Sequence, residues 1–325
     1  MNPHWDKERV FQESRRIVIA QWQHIIYNEW LPIVLGKEYM KTFNLLPTTD
    51  GYTEDYDPSV DPRINNEFAA AAFRFGHSMI PSHLPARDSS GKDVSSRNLK
   101  HVFNEPILLQ QPGFIENMIR GQAMEDAPAW DPAFNGDIMN HLFDDDDSGG
   151  LDLPALNIQR ARDHGIPGYN RYREICASGS YHAVTDFSEL SSDGYLSFDD
   201  VRKLQLVYED VEDIDLFVAG VLETTHSDSL VGPTFKCIIG DQFIRFKRGD
   251  RFWYENGEDP AVRFSLDQLG SIKRTSMSRI LCDNTDIQEI QPLAFRSPRG
   301  VNSLTSCNDI TTMPKMDLEP WLDIL

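Results

Sequence analysis

Basic residues are scarce in this chain. Lysine and arginine together number 31 against 51 aspartates and glutamates, leaving a net charge of −20 and a pI near 4.8. That balance argues against nucleic acid and anionic membrane surfaces as partners. Cysteine is equally sparse, limited to Cys176, Cys237, Cys282 and Cys307. No two form a Cys-x-x-Cys pair and none stands at zinc-finger spacing from a histidine, which argues against a structural zinc site. Spacing alone does not decide between free buried thiols and any of the disulfide pairings. No apolar run approaches the ~20 residues that span a bilayer, so no membrane span is expected. The opening "MNPHWDKERV" has neither a hydrophobic stretch nor a cleavage-like site, so no secretory signal is read there. No Asn-x-Ser/Thr sequon occurs, which leaves the compartment open. Few stretches alternate with a period of two, which points away from a strand-rich fold and towards a mainly α chain.

What is present suits one packed domain over residues 1–325, with no internal repeat and no linker. Asp6 is placed to cap a long opening helix. Its apolar residues Val10, Ile17, Val18, Trp22, Ile25 and Ile26 recur at helical spacing, and Pro32 and Gly36 mark its end. A turn-rich connector leads to "RINNEFAAAAFRFGHSM", which reads as a second helix stopped by Pro81. On it Phe73, Arg74 and His77 share a face, so Arg74 and His77 can reach one object. Taken alone, His77 reads as a packing histidine with satisfied ring nitrogens.

The stretch "SHLPARDSSGKDVSSRNLKHVF" reads as exposed loop, and helical pieces resume at "PGFIENMIRGQAM" and "PAFNGDIMNHLF". The run from Asp144 to Gly150, "DDDDSGG", lacks the alternating ligands and closing glutamate of a calcium loop and reads as a solvated acidic loop. Next comes "LDLPALNIQRARDHGIPGYNRYREIC", dense in arginine, asparagine and glycine. Within it Arg162 and Asp163 read as a structural ion pair, and Gly165, Pro167 and Gly168 as turn residues. In "GPTFKCIIGDQFIRFKRGD", Pro233 opens a helix whose face carries Phe235, Ile238, Ile239 and Phe243, and Gly249 closes it.

Two of these stretches together, "AFRFGHSMIP" and "LDLPALNIQRARDHGIPGYNRYRE", resemble the animal haem peroxidase family (the peroxidasin–cyclooxygenase superfamily). The likeness continues through "NPHWDKERVFQESRRIVIAQWQHIIYNEWLPIVLG", "YDPSVDPRINNEF", "VGPTFKCIIGDQFIRFKRGDRFWYEN" and "SRILCDNTDI". It covers almost the whole chain in the family's order and looks most like invertebrate secreted and peroxidasin-like members. The resemblance implies a mainly α, haem-peroxidase-like helical domain that holds haem b. It makes His77 the proximal axial ligand of the haem iron, and Asn157 the acceptor, through its side-chain carbonyl, for the other ring nitrogen. By the same likeness Arg160 reaches a haem propionate and Arg74 lies over the macrocycle edge, as permanently charged forked donors suit carboxylates. His164 falls outside the haem pocket. His83, His101, His141, His182 and His226 match no family ligand and read as surface or packing residues. The resemblance also pairs Cys176 with Cys237 and Cys282 with Cys307, and places the protein in a secreted, oxidising setting.

The implied activity is hydrogen-peroxide-dependent oxidation of a small organic or halide donor. That chemistry also needs a distal base to move a proton between the two peroxide oxygens. In the family this base is a histidine in a Gln-rich, Asp-flanked motif upstream of the long helix, together with a distal arginine, an ester-forming acid and a calcium loop. None of those motifs is present in these residues, so no catalytic residue is visible on the distal side and the family's calcium site is not in this chain. The expectation is a truncated form lacking the distal part, with little turnover of its own; truncation would also account for the unread secretory signal. A reading of another class is a non-catalytic haem-binding or extracellular interaction protein derived from a peroxidase.

Overall fold

The opening helix α1 (Lys7–Ile25) begins where expected: the Asp6 side chain accepts a hydrogen bond from the Arg9 amide at 2.7 Å. Its end differs. In the computed structural model, which describes residues 2–144, 149–177, 184–192, 194–225 and 228–323, α1 runs into a π turn at Ile26–Trp30 and on into α2 (Leu31–Val34). The wide turn lets Pro32 sit at the start of a fresh helical segment, where its missing N–H costs no helical bond. The helical run ends just before Gly36, the second of the two residues expected to mark its end. The Gly36 φ of +84° is a conformation that suits glycine, and a Cβ there would lie 2.2 Å from a carboxylate oxygen of Asp228.

The anticipated apolar stripe of α1 is only partly used. Ile25 is buried and Ile17 and Ile26 pack against the core, whereas Val18 and Trp22 are 62% and 55% exposed. The covered side of the helix follows Ile17, Ala20 and His24, and positions 18 and 22 are turned away from that line. After α3 (Lys37–Thr42), the segment expected as one helix up to Pro81 is two pieces. The first, α4 (Asn66–Ala70), breaks at Ala71 (φ −135°, ψ −72°), and a 3₁₀ helix occupies Ala72–Met79. Three residues per turn place Arg74 directly in line with His77.

The stretch read as exposed loop carries one short antiparallel pair, β1 (His83–Leu84) with β2 (Arg97–Asn98). Helices α5 (Phe114–Met124) and α6 (Gly136–Asn140) follow. Of the acidic run, residues 145–148 lie outside the described residues. Then come α7 (Leu153–Asp163), α8 (Tyr169–Cys176), α9 (Phe198–Leu204) and α10 (Leu216–Leu222). Helix α11 (Pro233–Gly249) has the anticipated limits, and it buries Phe235, Ile238, Ile239 and Phe243 in the main core. Burial of each such side chain stabilises by ~1.5–3 kcal/mol. At Gly220 a Cβ would stand 2.1 Å from the Phe235 ring, so glycine is what lets α10 and α11 meet there.

The chain ends in α12 (Leu266–Ile272), α13 (Met277–Asn284) and a second short pair, β3 (Glu289–Ile290) with β4 (Thr305–Ser306). A small satellite cluster of Ile287, Ile290, Cys307 and Met313 lies under that pair. Both cysteine pairs implied by the resemblance are bonded, Cys176–Cys237 and Cys282–Cys307. The fold is therefore mainly α, and among the described residues the strands are two-residue pairs only.

Candidate functional site

Helix α7 supplies the floor of the site. The Asp152 side chain accepts from the Ala155 amide at 3.0 Å, Pro154 lies in the first turn, and Gly165 (φ +64°) closes the far end. The closure is the paired kind, with Ile166 N–H bonding the Ala161 carbonyl and Gly165 N–H that of Arg162. These caps hold a helix with Asn157 and Ala161 on its buried side and Arg160 and Arg162 towards solvent. The 3₁₀ segment lies across that buried side, and Asn135 secures its end by donating to the Ile80 carbonyl at 2.6 Å.

Three of the four residues singled out for haem binding meet at this crossing. Asn157 is fully buried, and its Nδ2 stands 2.9 Å from Nδ1 of His77. Arg74 donates from Nη1 to Asn157 Oδ1 at 3.0 Å and from Nε to the Ala69 carbonyl at 3.0 Å. The contact between Asn157 and His77 is as anticipated, but the amide presents its nitrogen, and not its carbonyl oxygen, to the ring. The reason is Arg74, a pure donor that claims the oxygen. The fourth residue, Arg160, stands apart on the exposed side of α7 and donates to Asp163 at 3.3 Å.

Charge and burial act together here. Burial lowers the Arg74 pKa and the nearby positive charge of Arg160 adds to that effect. His77 is half-buried, and its pKa is lowered by burial first and by Arg74 second, against an opposing contribution from the Asn157 bond. The imidazole is thus held neutral in neutral solution, and among the described residues nothing hydrogen-bonds its Nε2. A neutral ring whose outer nitrogen has no protein partner among the described residues, beside the Arg74 guanidinium, can hold a metal centre that carries carboxylates once the ring's proton lies on the other nitrogen. On the neighbouring side Phe73, Trp22, Trp30 and Phe252 line an apolar recess of about 940 Å³.

Other expectations fare differently. Arg162 does not pair with Asp163. It makes a two-pronged bond to Asp215 (Nε–Oδ1 2.9 Å, Nη2–Oδ2 2.6 Å), because the packing of α10 against α7 brings the buried carboxylate of this N-cap residue within reach of the more exposed guanidinium. His164 is exposed and bonds Asn66 Oδ1 at 2.8 Å, His83 pairs with Glu125 at 2.8 Å and His141 with Asp144 at 2.8 Å. His101 is exposed, and His182 and His226 lie outside the described residues.

Two buried polar centres were not anticipated. His24 bonds the Tyr254 hydroxyl at 2.9 Å, and burial takes its pKa down to about 4. Glu223 accepts from the Tyr169 hydroxyl and from the Thr234 amide, both at 2.8 Å, and burial raises its pKa to about 7. No local sequence signal marks either, since their partners are 230 and 54 residues away for His24 and Glu223–Tyr169 respectively. Among the described residues no group of three or more His, Cys, Asp or Glu is placed to hold a metal ion, and no helix is long and apolar enough to cross a membrane.

Comparison with known proteins gives one consistent outcome. The sequence model described as animal haem peroxidase matches residues 1–295. Chorion peroxidase of Drosophila melanogaster is 39% identical over 327 residues, covering 99% of this chain and 39% of that protein. A human peroxidasin homolog is 38% identical over 328 residues, covering 99% of this chain and 21% of its own length. Among solved structures, peroxidase A of Dictyostelium discoideum superposes with a TM-score of 0.72 at 32% identity, over 93% of this chain and 52% of the other. The chain thus spans less than half the length of the curated relatives named here.

Proposed function

The chain belongs to the animal haem peroxidase family, and on that premise we propose that residues 1–325 form one domain that carries the proximal haem site of a peroxidase. The observation that carries this reading is the crossing of the 3₁₀ segment and α7, where His77, Asn157 and Arg74 form one bonded set. The residues fit the group. His77 offers a neutral imidazole whose outer nitrogen has no protein partner among the described residues and would hold the iron of haem b once the ring's proton lies on Nδ1. Asn157 orients that ring from beneath. Arg74 and Arg160, whose positive charges act on one another, would receive the propionates, Arg160 giving up its bond to Asp163 for one of them.

When bound, the haem supplies the redox-active iron at which one hydrogen peroxide is reduced to two waters while an organic donor gives up two electrons, or a halide is oxidised to hypohalous acid with release of one water. The role of this chain's own residues is narrower. They bind and orient the group, keep the His77 ring uncharged and fix it against rotation. Both disulfides suit an oxidising, extracellular setting, which we take as the place of action.

A second reading, a haem-binding or interaction protein without turnover, is favoured by one observation. Among the described residues no second histidine stands at the site: His24 is sealed in the core, and His83, His141 and His164 are engaged elsewhere.

Hemin titration tests the proposal. The chain should develop a Soret band, and His77→Ala should abolish or grossly shift it while His83→Ala leaves it alone. An unchanged band in His77→Ala overturns the assignment. Peroxide-dependent dye oxidation by the loaded chain should not exceed that of free hemin. Turnover well above it would contradict the second reading and reveal a distal base within these residues.

A further inference from the structure

The bond from Arg74 to Asn157 constrains the proton on His77. A guanidinium has five donors and no acceptor, so the amide atom 3.0 Å from Arg74 Nη1 must be the oxygen. The NH₂ then faces His77, 2.9 Å from Nδ1, and that ring nitrogen must accept. In a neutral imidazole the proton therefore sits on Nε2. Metal ligation through Nε2 requires the opposite arrangement, with the proton on Nδ1 and an acceptor facing it. The only acceptor that Asn157 can offer is the oxygen that Arg74 holds. Turning the amide over would set its NH₂ against the guanidinium, donor against donor, so Arg74 must leave first.

We propose that Arg74 is a latch: in the haem-free chain it holds Asn157 with the carbonyl oxygen away from His77, and an anionic group that draws the guanidinium off lets the amide turn and makes His77 a competent ligand. The identity of that anion, a porphyrin carboxylate, rests on the haem reading above. The latch has the means to open. Arg74 is partly exposed, its other bond among the described residues is a single one to the Ala69 carbonyl, and the positive charge of Arg160, close enough to act on it, adds to the attraction for an anion. Asn157 is fixed by the backbone of a capped helix, so its amide turns about the side chain alone. When it turns, the ring releases its Nε2 proton to water and takes one from water at Nδ1, with no change in net charge. Arg74 acts through Asn157 and is a positioning residue.

The test reads the tautomer directly. In the haem-free full chain with ¹⁵N-labelled histidine at pH 7.5, long-range ¹H–¹⁵N correlation spectra should place the His77 proton on Nε2, with the signal assigned by its loss in His77→Gln. Arg74→Ala should move the proton to Nδ1. Metal-free protoporphyrin IX should do the same in the wild-type chain, and its dimethyl ester should not. A wild-type ring with its proton on Nδ1 overturns the proposal even if Arg74→Ala fails to fold. So does an unchanged tautomer in a folded Arg74→Ala, and an equal response to the dimethyl ester overturns the release by an anion. Failure of the haem reading looks different: a hemin Soret band indifferent to His77→Ala would sink that reading and leave the difference between wild type and Arg74→Ala in place.

Discussion

Asn157 reaches His77 with Nδ2 2.9 Å from Nδ1, a contact between residues 80 positions apart that joins α7 to the 3₁₀ segment beneath the ring. Asn157 has no exposure, so each of its polar atoms depends on a protein partner. Replacement by leucine keeps the volume and removes both bonds, to His77 and to Arg74. The expected outcome is a loss of ~1–3 kcal/mol in denaturant unfolding and a 10–100-fold weaker hemin affinity, the usual order for an outer-sphere partner of a metal ligand. Parallel urea melts and hemin titrations of the Asn157→Leu variant check both.

The Cys176–Cys237 bond closes a loop across 61 positions and ties the end of α8 to α11. Loop-closure entropy assigns such a bond ~4 kcal/mol of stability. The double variant Cys176→Ser/Cys237→Ser should lose close to that amount in guanidinium unfolding. Cys282–Cys307, with a separation of 25, lies at the small satellite cluster and should cost ~3 kcal/mol when removed. Loss of haem affinity on removing the second pair alone would contradict the placement of the site at the crossing of the 3₁₀ segment and α7, away from that cluster.

Glu223 gives a pH prediction with a definite sign. Its folded value is about 7 against an ordinary 4.5, raised by complete burial. Between those two values the folded chain holds a proton that the unfolded chain has released, so this group's contribution to stability falls as pH rises through the window and stays low above it. His24 works in the opposite sense: lowered from 6.5 to about 4 by burial, it withdraws stability as pH falls through that range. Glu223→Gln removes the first contribution and leaves the second. Denaturant midpoints at pH 5 and pH 7.5 should therefore show a more favourable change with rising pH in the variant than in the wild type. Identical pH profiles would show that Glu223 is ionised in the folded chain.

Much of this was legible in the sequence, for physical reasons that differ by element. Helix α11 was readable because proline at its start, glycine at its end and a 3.6-residue apolar period agree. His77 and Asn157 were found together through the family's two motifs, as was the cysteine pairing. The break at Ala71 was not readable, because four consecutive alanines favour a continuous helix, whereas the 3₁₀ segment packs against α7, α10 and α11, which lie far off in sequence. The partner of Arg162 was misread for want of distance information: Asp163 is adjacent in sequence, yet Asp215, 53 residues on, offers both oxygens in the right plane. The α1 stripe shows a further limit. Apolar spacing reports that a face is fit for burial, and Val18 and Trp22 are fit for it without being covered. The orientation of the Asn157 amide depends on a donor-only neighbour, which spacing does not reveal.

The central claim is that the imidazole of His77 holds the haem iron. Resonance Raman spectra of the ferrous, hemin-loaded chain measure the iron–histidine stretch itself. A band in the low-frequency region that shifts on ¹⁵N-histidine labelling and disappears in His77→Ala is the predicted result. A labelled band that persists unchanged in His77→Ala would place the iron on another residue and contradict the account.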